Sequence, residues 1–484
     1  PALLVAFEKE YGYALRAEDF VDGGCYANPF RLPGKRFRDW MDFVQRKVSS
    51  VVGELVDIVH KNGKEAMMFL GDDWIGAEPY GKYFKDMHLD AVVGSVGGGV
   101  TVRMLSEIPH VKYTEGRFLP YFFPDTFFDG NEDNAVAELN RNWVTARRAL
   151  LRKPLDRMGF GGYLSLAAKF PKFVDRVAEI CDEFRAITAA AGKARPHCGL
   201  TVAILNEWGT IRSWMSHMVA HELWYQQVYS YQGVLEALSG LAVNVKFISF
   251  DDVRAHGFDE DIDVVINVGD AYTAYSGGKN WADEKLVSAV RGWVRGGHGF
   301  IGIGEPTAYA QGGRYFALAD VLGVDKEVGF TLSADKYNLD KHAHFITEDV
   351  RGEIDYGEGM KNIYALDGAE VLDIVFSDRF KRRYSVGEVK LAANECGAGR
   401  GVYIAGIPYS PQNARLLHRA VMWASHGEGE LRRWFSENPA VDVHAYASSR
   451  KYCVVNNAAK PQSTTVYRGD GSSFPLSLEA NEIR

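Results

Sequence analysis

The sequence predicts an α/β protein in three successive parts: half of an eight-stranded βα barrel, a parallel sheet flanked by helices, and a small antiparallel β-sandwich. Strand-like apolar runs alternate with helical periodicity up to about residue 192. The alternation starts afresh after a linker at residues 192–196 and continues to about residue 425. From about residue 441, short alternating runs are separated by turn residues. A chain of 484 residues also exceeds the size of one ordinary core.

The first part, residues 1–192, contains four predicted βα units. A long amphipathic helix is predicted over residues 36–61, followed by a buried strand over residues 66–70 that Gly71 bounds. Further strands are predicted at residues 90–93, 111–117 and 158–163, with helices at residues 135–151 and 172–190. Four units suffice for half of an eight-stranded barrel and are too few for a closed one.

The second part, residues 197–425, and the third, residues 436–484, differ in the order of their elements. In the second, strands are predicted at residues 200–205, 245–250, 264–268 and 299–303, and helices at residues 213–238 and 281–294. This alternation predicts a parallel sheet. In the third, strands are predicted at residues 441–447, 452–455, 463–467 and 474–478. Their turn-separated spacing predicts an antiparallel sandwich.

Composition narrows the functional classes. A net charge of −8 argues against a nucleic-acid partner, because phosphate backbones require a basic surface. No apolar run approaches 18 residues, so no transmembrane helix is predicted. The five cysteines are scattered and never spaced C-x-x-C, a pattern typical of a protein of the reducing cytoplasm without a disulfide framework or zinc site. The chain opens at Pro1 directly into the apolar run 3–7, so we expect it to begin inside a domain.

The segment Gly71-Asp72-Asp73-Trp74 follows a predicted buried strand. In a βα barrel, residues just past a strand's carboxyl end lie at the mouth of the active site. A carboxylic acid beside an indole suits protonation of a glycosidic oxygen, since an apolar neighbour keeps the acid protonated near neutral pH. An aspartate at this junction can equally serve as a helix N-cap. The pattern alone leaves both interpretations open.

Two later segments also combine residues suited to ligand binding. The glycine-rich segment 94–103 offers backbone N–H groups with Ser95, Thr101 and Arg103, which could hold an oxyanion or could form a plain turn. Segment 112–125 packs cations, acids and aromatic rings into 14 residues. An arginine fork binds phosphate and aromatic faces hold pyranose rings, although a packed barrel rim would have the same composition.

Two other patterns suggest different chemistry. Glu207 and Glu305 each end a predicted strand, as the acid/base and nucleophile of retaining barrel glycosidases do. His217 and His221, beside Glu222, stand four apart on a predicted helix and could bind a metal. No third ligand follows at a recognisable spacing, so helix packing is favoured and no metal site is predicted.

Several segments resemble the galacto-N-biose/lacto-N-biose phosphorylase family. They are residues 65–76, 112–125, 142–148 and 264–271, and the likeness extends to Arg484. The resemblance implies a deformed TIM-like barrel, then a doubly wound domain like class I glutamine amidotransferases, then a C-terminal β domain. Glu305 stands where true amidotransferases carry a nucleophilic cysteine, so the middle domain is expected to be non-catalytic.

The resemblance also implies that the chain starts in the middle of the barrel. The N-terminal half of the barrel is then expected to be missing, and the chain alone is expected to be inactive. An open half-barrel would expose strand edges and apolar surface.

By the same resemblance, Asp72 is the general acid and Arg117 helps to bind phosphate. Tyr121 and Phe123 match positions that line the N-acetylhexosamine site, and Val102 lies near it. Two more residues are candidates for substrate binding, Asp73 and Glu115. Asp73 departs from some relatives, and a second carboxylate there would raise the pKa of Asp72 by like-charge repulsion.

The implied reaction is inverting phosphorolysis of β-1,3-galactosyl N-acetylhexosamine disaccharides, namely lacto-N-biose and galacto-N-biose. Phosphate is a co-substrate, neither metal nor organic cofactor is expected, and the enzyme is expected to be a cytoplasmic homodimer. Three alternatives remain: a galactosyl-rhamnose phosphorylase of the same family, a retaining β-galactosidase using Glu207 and Glu305, and a non-catalytic carbohydrate-binding remnant.

Overall fold

A computed structural model gives the fold of this protein. It describes residues 2–19, 35–70, 79–118, 124–161, 164–192, 194–208, 227–271, 273–311, 313–327, 341–376 and 387–484. No helix within these ranges is long and apolar enough to cross a membrane. The cysteines within them, Cys181, Cys198, Cys396 and Cys453, are free thiols.

The first part of the chain forms a four-stranded parallel sheet with helices on one face. Its strands are β1 (Met67–Leu70), β2 (Ala91–Val96), β3 (Tyr113–Phe118) and β4 (Arg157–Phe160), in the order β1-β2-β3-β4. Its helices are α1 (Ala2–Tyr11), α2 (Lys35–Lys61), α3 (Gly99–Ser106), α4 (Glu132–Arg152), α5 (Leu164–Ala167) and α6 (Pro171–Ala191). The predicted alternation of strands and helices is confirmed, whereas helix α1, which contains the apolar run 3–7, was not predicted.

The two faces of this sheet differ in burial. Strand β3 alternates between exposed and buried residues, and buried Phe118 packs edge-on against Trp143 of helix α4. On the opposite face Met67, Phe69 and Tyr113 are 56%, 49% and 38% exposed. In a barrel of this kind, the face turned away from the helices is the interior. The described residues therefore leave an apolar inner face open to solvent.

The second part is built on a seven-stranded sheet. Its strands are β5 (Leu200–Asn206), β6 (Val243–Ser249), β7 (Val264–Gly269), β8 (Gly299–Gly304), β13 (Glu370–Phe376), β14 (Gly387–Cys396) and β15 (Gly399–Ile404), in the order β13-β14-β15-β8-β7-β5-β6. Its helices are α7 (Val228–Gly240), α8 (Phe250–His256), α9 (Glu284–Arg295), α10 (Ala319–Leu322) and α11 (Pro411–Ala424). Two two-stranded antiparallel sheets accompany it: β9 (Ala308–Gln311) with β10 (Arg314–Phe316), and β11 (Val324–Lys326) with β12 (Ile363–Ala365).

The predicted parallel sheet is confirmed for strands β5 to β8, which pair in parallel. Strand β15 continues the parallel pairing, and β14 and β13 extend the sheet in the antiparallel sense. This antiparallel extension was not predicted. From β5 the chain first adds β6 on one side and then β7 on the other. The order in which strands are added therefore reverses at β5, as in a doubly wound fold.

The third part consists of two small antiparallel sheets. Its strands are β16 (Phe435–Ser436), β17 (Val441–Tyr446), β18 (Lys451–Asn456), β19 (Gln462–Tyr467) and β20 (Ser473–Leu478). Three of them pair in the order β16-β19-β20, and β17 pairs with β18. Their inward residues form a shared core, made of Val441, Val443, Val454, Val466 and Leu478. The predicted antiparallel pairing of these strands is therefore confirmed.

A buried arginine joins all three parts. Arg148 of helix α4 donates from Nη1 to Glu236 Oε1 of helix α7 at 3.1 Å, and from Nε to Asp442 Oδ2 of strand β17 at 3.0 Å. Its guanidinium also lies 5.0 Å from the ring centroid of Tyr409. Burial opposes the charge of Arg148, but the two carboxylates raise its pKa above the ordinary value. Gly240 leaves space for it, since a Cβ there would lie 2.2 Å from Arg148 Nη2.

Neighbouring residues of helix α4 strengthen the same junction. Arg147 donates to the backbone oxygen of Asn481 at 3.0 Å, and Arg152 donates to that of His197 at 2.7 Å. In return, the Tyr446 hydroxyl donates to the backbone oxygen of Leu151 at 2.7 Å. The C-terminal turns of helix α4 are therefore held by both of the other parts of the chain.

We predict that Arg148→Met destabilises the protein by about 3–5 kcal/mol, because removing one partner leaves the buried carboxylate of Glu236 and the partly buried carboxylate of Asp442 uncompensated. The matched control is Arg185→Met, since Arg185 pairs with Asp182 on the surface, where both side chains are more than 70% exposed. Its cost should be below about 1 kcal/mol. Urea unfolding followed by tryptophan fluorescence measures both. Equal midpoints for the two variants would show that Arg148 does not hold the parts together.

Candidate active site

The four parallel strands of the first part end at one edge of their sheet. Strands β1, β2, β3 and β4 end at Leu70, Val96, Phe118 and Phe160, and all pair in parallel. In a βα barrel this carboxyl edge carries the catalytic loops. Two predicted site segments follow it directly. Asp72 and Asp73, in 71–78, and Tyr121 and Phe123, in 119–123, lie outside the described residues.

Arg117 is exposed at this carboxyl edge. It is the next-to-last residue of strand β3, aligned with Ser95 of β2 and Gly159 of β4, on the inner face of the sheet. Its guanidinium carbon lies 5.1 Å from the ring centroid of Phe69 in strand β1. The side chain thus reaches across β2 toward the strand from which the chain continues to Asp72. An exposed guanidinium fork in this position suits an anionic ligand.

Glu115 lies on the same face, two residues earlier in strand β3. Its Oε2 is 3.2 Å from Nε of Arg157, the first residue of strand β4. The Glu115 side chain is 18% exposed and that of Arg157 is 57% exposed. The structure therefore places Glu115 in an ion pair across the sheet, below the edge that carries Arg117. A contact between Glu115 and a sugar stays a prediction.

Val102 occupies helix α3 and has no exposed surface. It belongs to the main hydrophobic core, one turn below the glycine-rich segment that connects strand β2 to the helix. The structure therefore brings Val102 close to the carboxyl edge but buries its side chain. Direct contact with the N-acetylhexosamine stays a prediction.

A protein carboxylate lies at the start of helix α3. A Cβ at Gly99 would lie 2.7 and 2.8 Å from the two carboxylate oxygens of Glu236, and the backbone N–H groups of Gly99 and Val100 act to lower the pKa of Glu236. Thr101 Oγ1 donates to the backbone oxygen of Gly98 at 3.3 Å, and Arg103 is buried, 3.6 Å from Glu107. The carboxylate of Glu236 thus stands where an oxyanion was considered, and oxyanion binding by segment 94–103 stays a prediction.

Tyr80 anchors the chain where it returns from the segment that contains Asp72. Its hydroxyl donates to the backbone oxygen of Met104 at 2.6 Å. Its ring packs against Trp208 and Phe247 of the second part, with centroids 5.5 and 5.2 Å apart. Burial raises the pKa of Tyr80 well above its ordinary value. Pattern reasoning did not predict this anchor, although an aromatic residue stands directly after Glu78-Pro79 in the sequence.

The glycosidase interpretation of Glu207 and Glu305 does not agree with their surroundings. Both lie in the second part, after strands β5 and β8, which are separated by β7. Glu305 accepts from the backbone N–H of Ala271 and the hydroxyl of Tyr315, each at 2.9 Å, and pairs with Lys326. Two strand spacings amount to about 10 Å, whereas a retaining pair needs about 5 Å. Glu305 is therefore a structural anion of the second part, and the retaining-galactosidase interpretation is wrong.

The metal interpretation concerns His217, His221 and Glu222, which lie outside the described residues. Within the described ranges, no group of three or more His, Cys, Asp or Glu side chains is arranged to hold a metal ion.

Comparison with known families gives three consecutive matches along the chain. They are the lacto-N-biose phosphorylase N-terminal TIM barrel domain over residues 1–199, the central domain over residues 201–429, and the C-terminal domain over residues 434–484.

Among curated relatives, a 1,3-β-galactosyl-N-acetylhexosamine phosphorylase of Lachnoclostridium phytofermentans is 54% identical over all of this chain and 65% of its own length. The enzyme of that name from Bifidobacterium longum subsp. longum is 51% identical, over 100% of this chain and 67% of its own. A D-galactosyl-β-1→4-L-rhamnose phosphorylase of L. phytofermentans is 34% identical, over 96% and 63%. The chain thus spans 65% of the length of the first of these relatives.

Among solved structures, a catalytic mutant of a family 42 β-galactosidase from G. stearothermophilus aligns with a TM-score of 0.55 at 14% identity. The alignment covers 100% of this chain and 75% of that one. At this identity the likeness shows a shared fold.

Proposed function

Because the chain belongs to the lacto-N-biose phosphorylase family, we propose that it carries the acid-bearing side of the active site of an inverting disaccharide phosphorylase. The substrates are β-1,3-galactosyl N-acetylhexosamines and inorganic phosphate, and the products are α-galactose 1-phosphate and the free N-acetylhexosamine. The observation that carries the proposal is the exposed guanidinium of Arg117 at the carboxyl edge, directed toward the strand that leads to Asp72.

The chemistry needs an acid and an anion cradle. Asp72 donates its proton to the oxygen that joins galactose to the N-acetylhexosamine, and Asp73 beside it raises the pKa of that acid. Phosphate attacks the anomeric carbon from the opposite face. Since phosphate is already an anionic nucleophile, no carboxylate base is required, and Arg117 provides the opposing charge. Tyr121 and Phe123 offer aromatic faces to the acceptor sugar. The reaction calls for no metal or organic cofactor.

The second part of the chain is proposed to be an amidotransferase-like scaffold without its own catalysis. Its doubly wound sheet supports that relationship, and the ion pair of Glu305 with Lys326 fills the strand end where a nucleophile would stand. The domain limits are proposed to be 1–192, 197–425 and 436–484. We further propose a cytoplasmic homodimer, in keeping with the scattered cysteines and the net charge of −8.

We predict that Asp72→Asn in the active enzyme lowers kcat of phosphorolysis by about 10²- to 10⁴-fold or more, because an amide cannot supply the proton. Circular dichroism should be unchanged. Asp57→Asn is the matched control, since Asp57 is a half-exposed acid on helix α2 that pairs with His88, and its kcat should equal that of the wild type. Near-normal turnover by Asp72→Asn would rule out the assignment.

We predict that Arg117→Ala raises KM for phosphate about 10- to 100-fold and changes KM for the disaccharide much less, because a charge-assisted hydrogen bond is lost. The control is Arg157→Ala, an arginine on the same face of the sheet but at the opposite end of the neighbouring strand. It should leave KM for phosphate unchanged. Initial rates at varied phosphate test both, and an unaltered KM in Arg117→Ala contradicts the role.

The acceptor is the second point to test, because the rhamnose-specific relative is also similar, at 34% identity against 51–54% for the N-acetylhexosamine enzymes. In the synthetic direction, with galactose 1-phosphate and a panel of acceptors, we expect disaccharide from N-acetylglucosamine and N-acetylgalactosamine. Incorporation into rhamnose alone would overturn the substrate assignment. No incorporation into any acceptor would favour a non-catalytic carbohydrate-binding role.

A further inference from the structure

Glu236 is a buried charge in an otherwise uncharged helix. It is the single charged residue of α7, Val228–Gly240, and it is 8% exposed. Burial raises its pKa, while Arg148 and two backbone N–H groups act against that shift. A carboxylate held inside a protein costs free energy unless it is paired and hydrogen-bonded. The partners of Glu236 therefore indicate what the charge does.

Those partners lie across the junction between the first and second parts. The Glu236 carboxylate lies against Gly99, which opens helix α3, and the N–H groups of Gly99 and Val100 act to lower its pKa. A carboxylate at this end of a helix also meets the positive end of its dipole. Arg148 Nη1 holds Glu236 Oε1 at 3.1 Å from the other side. A residue of the second part thus caps the first turn of a helix in the barrel part.

The glycines of this segment allow the close approach. A Cβ at Gly99 would lie 2.7 and 2.8 Å from the two carboxylate oxygens of Glu236 and 2.6 Å from Ser239 Oγ. A Cβ at Gly98 would lie 3.3 Å from Thr145 Oγ1 of helix α4. Because the glycines carry no side chain of their own, their backbone lies directly against helix α7 on one side and helix α4 on the other.

The segment Gly97–Gly99 lies in the middle of the carboxyl edge of the barrel sheet. It follows β2, which runs between β1, the strand before Asp72, and β3, the strand that carries Arg117. Ser95, two residues before the segment, is the register partner of Arg117. A shift of the Gly97–Gly99 backbone would therefore disturb the ends of both neighbouring strands, at Leu70 and Phe118.

We propose that Glu236 is a positioning residue for catalysis: through Gly99 and Val100 it fixes the segment after β2, between the strand that leads to Asp72 and the strand that carries Arg117. The proposal rests on the function proposed above. It makes the second part of the chain a contributor to the geometry of the active site, although none of its residues need touch the substrate.

Glu236→Gln in the active enzyme tests the proposal, since glutamine keeps the volume but removes the charge that holds the two N–H groups and Arg148. We expect kcat to fall about 10- to 100-fold, with KM for phosphate and disaccharide changed less than about threefold, because misplacement of about 1 Å affects the chemical step most. Hydrogen–deuterium exchange of the amides of residues 97–102 should become faster.

The matched control is Glu183→Gln. Glu183 is also a partly buried acid that serves helix α4, accepting from Trp143 Nε1 at 2.6 Å and lying 3.7 Å from Arg147. Among the described residues, its polar contacts lie on helices α4 and α6. It should lower the unfolding midpoint and leave kcat and the exchange of residues 97–102 unchanged.

The outcomes separate the two proposals. A wild type that is inactive even at the full length of its curated relatives contradicts the proposed function, and exchange of residues 97–102 then tests the positioning by itself. If the wild type is active, the inference is overturned when kcat of Glu236→Gln stays within twofold of normal. It is also overturned when Glu236→Gln and Glu183→Gln lose the same fraction of kcat.

If Glu236→Gln does not fold, Gly99→Ala replaces it, because the added methyl group pushes helix α3 away from Glu236 while all charges remain. For Gly99→Ala we expect the same 10- to 100-fold fall in kcat, and a normal kcat in this variant overturns the inference.

Discussion

The ion pairs of Arg148 are the constraint on which the arrangement of the three parts depends. One buried guanidinium on a barrel helix binds a buried carboxylate from the second part, Glu236, and a partly buried one from the third, Asp442. Each of these charges would be costly alone, so the three parts satisfy one another only when they are assembled. The small residue at Gly240 and the ring of Tyr409 complete the space around the guanidinium.

This junction lies directly behind the carboxyl edge of the barrel sheet. Glu236 connects Arg148 to the start of helix α3, and Tyr80, which follows the segment that contains Asp72, packs against Trp208 and Phe247. The start of helix α3 and Tyr80 therefore rest on the second part of the chain. That part supports the edge at which the proposed reaction would take place, although its own strand end at Glu305 is filled by an ion pair.

Local patterns predicted most of the strands and helices, because alternation and helical periodicity depend only on neighbouring residues. The same patterns placed Asp72 and Arg117 at strand ends of a parallel sheet, but the family resemblance was needed to assign their roles. The partners of Arg148 were beyond such reasoning, since Glu236 and Asp442 are 88 and 294 residues away along the chain. One signal was available: a lone glutamate within the apolar helix that contains Val234, Leu235 and Leu238.

The central claim is that this chain belongs to an enzyme that transfers galactose to phosphate with inversion at the anomeric carbon. Proton NMR of the active enzyme with a β-1,3-galactosyl N-acetylhexosamine and phosphate follows the anomeric signals directly. We expect α-galactose 1-phosphate as the first galactosyl product, and none of it without phosphate. Release of free galactose at the same rate without phosphate, or a β-configured phosphate ester, would contradict it.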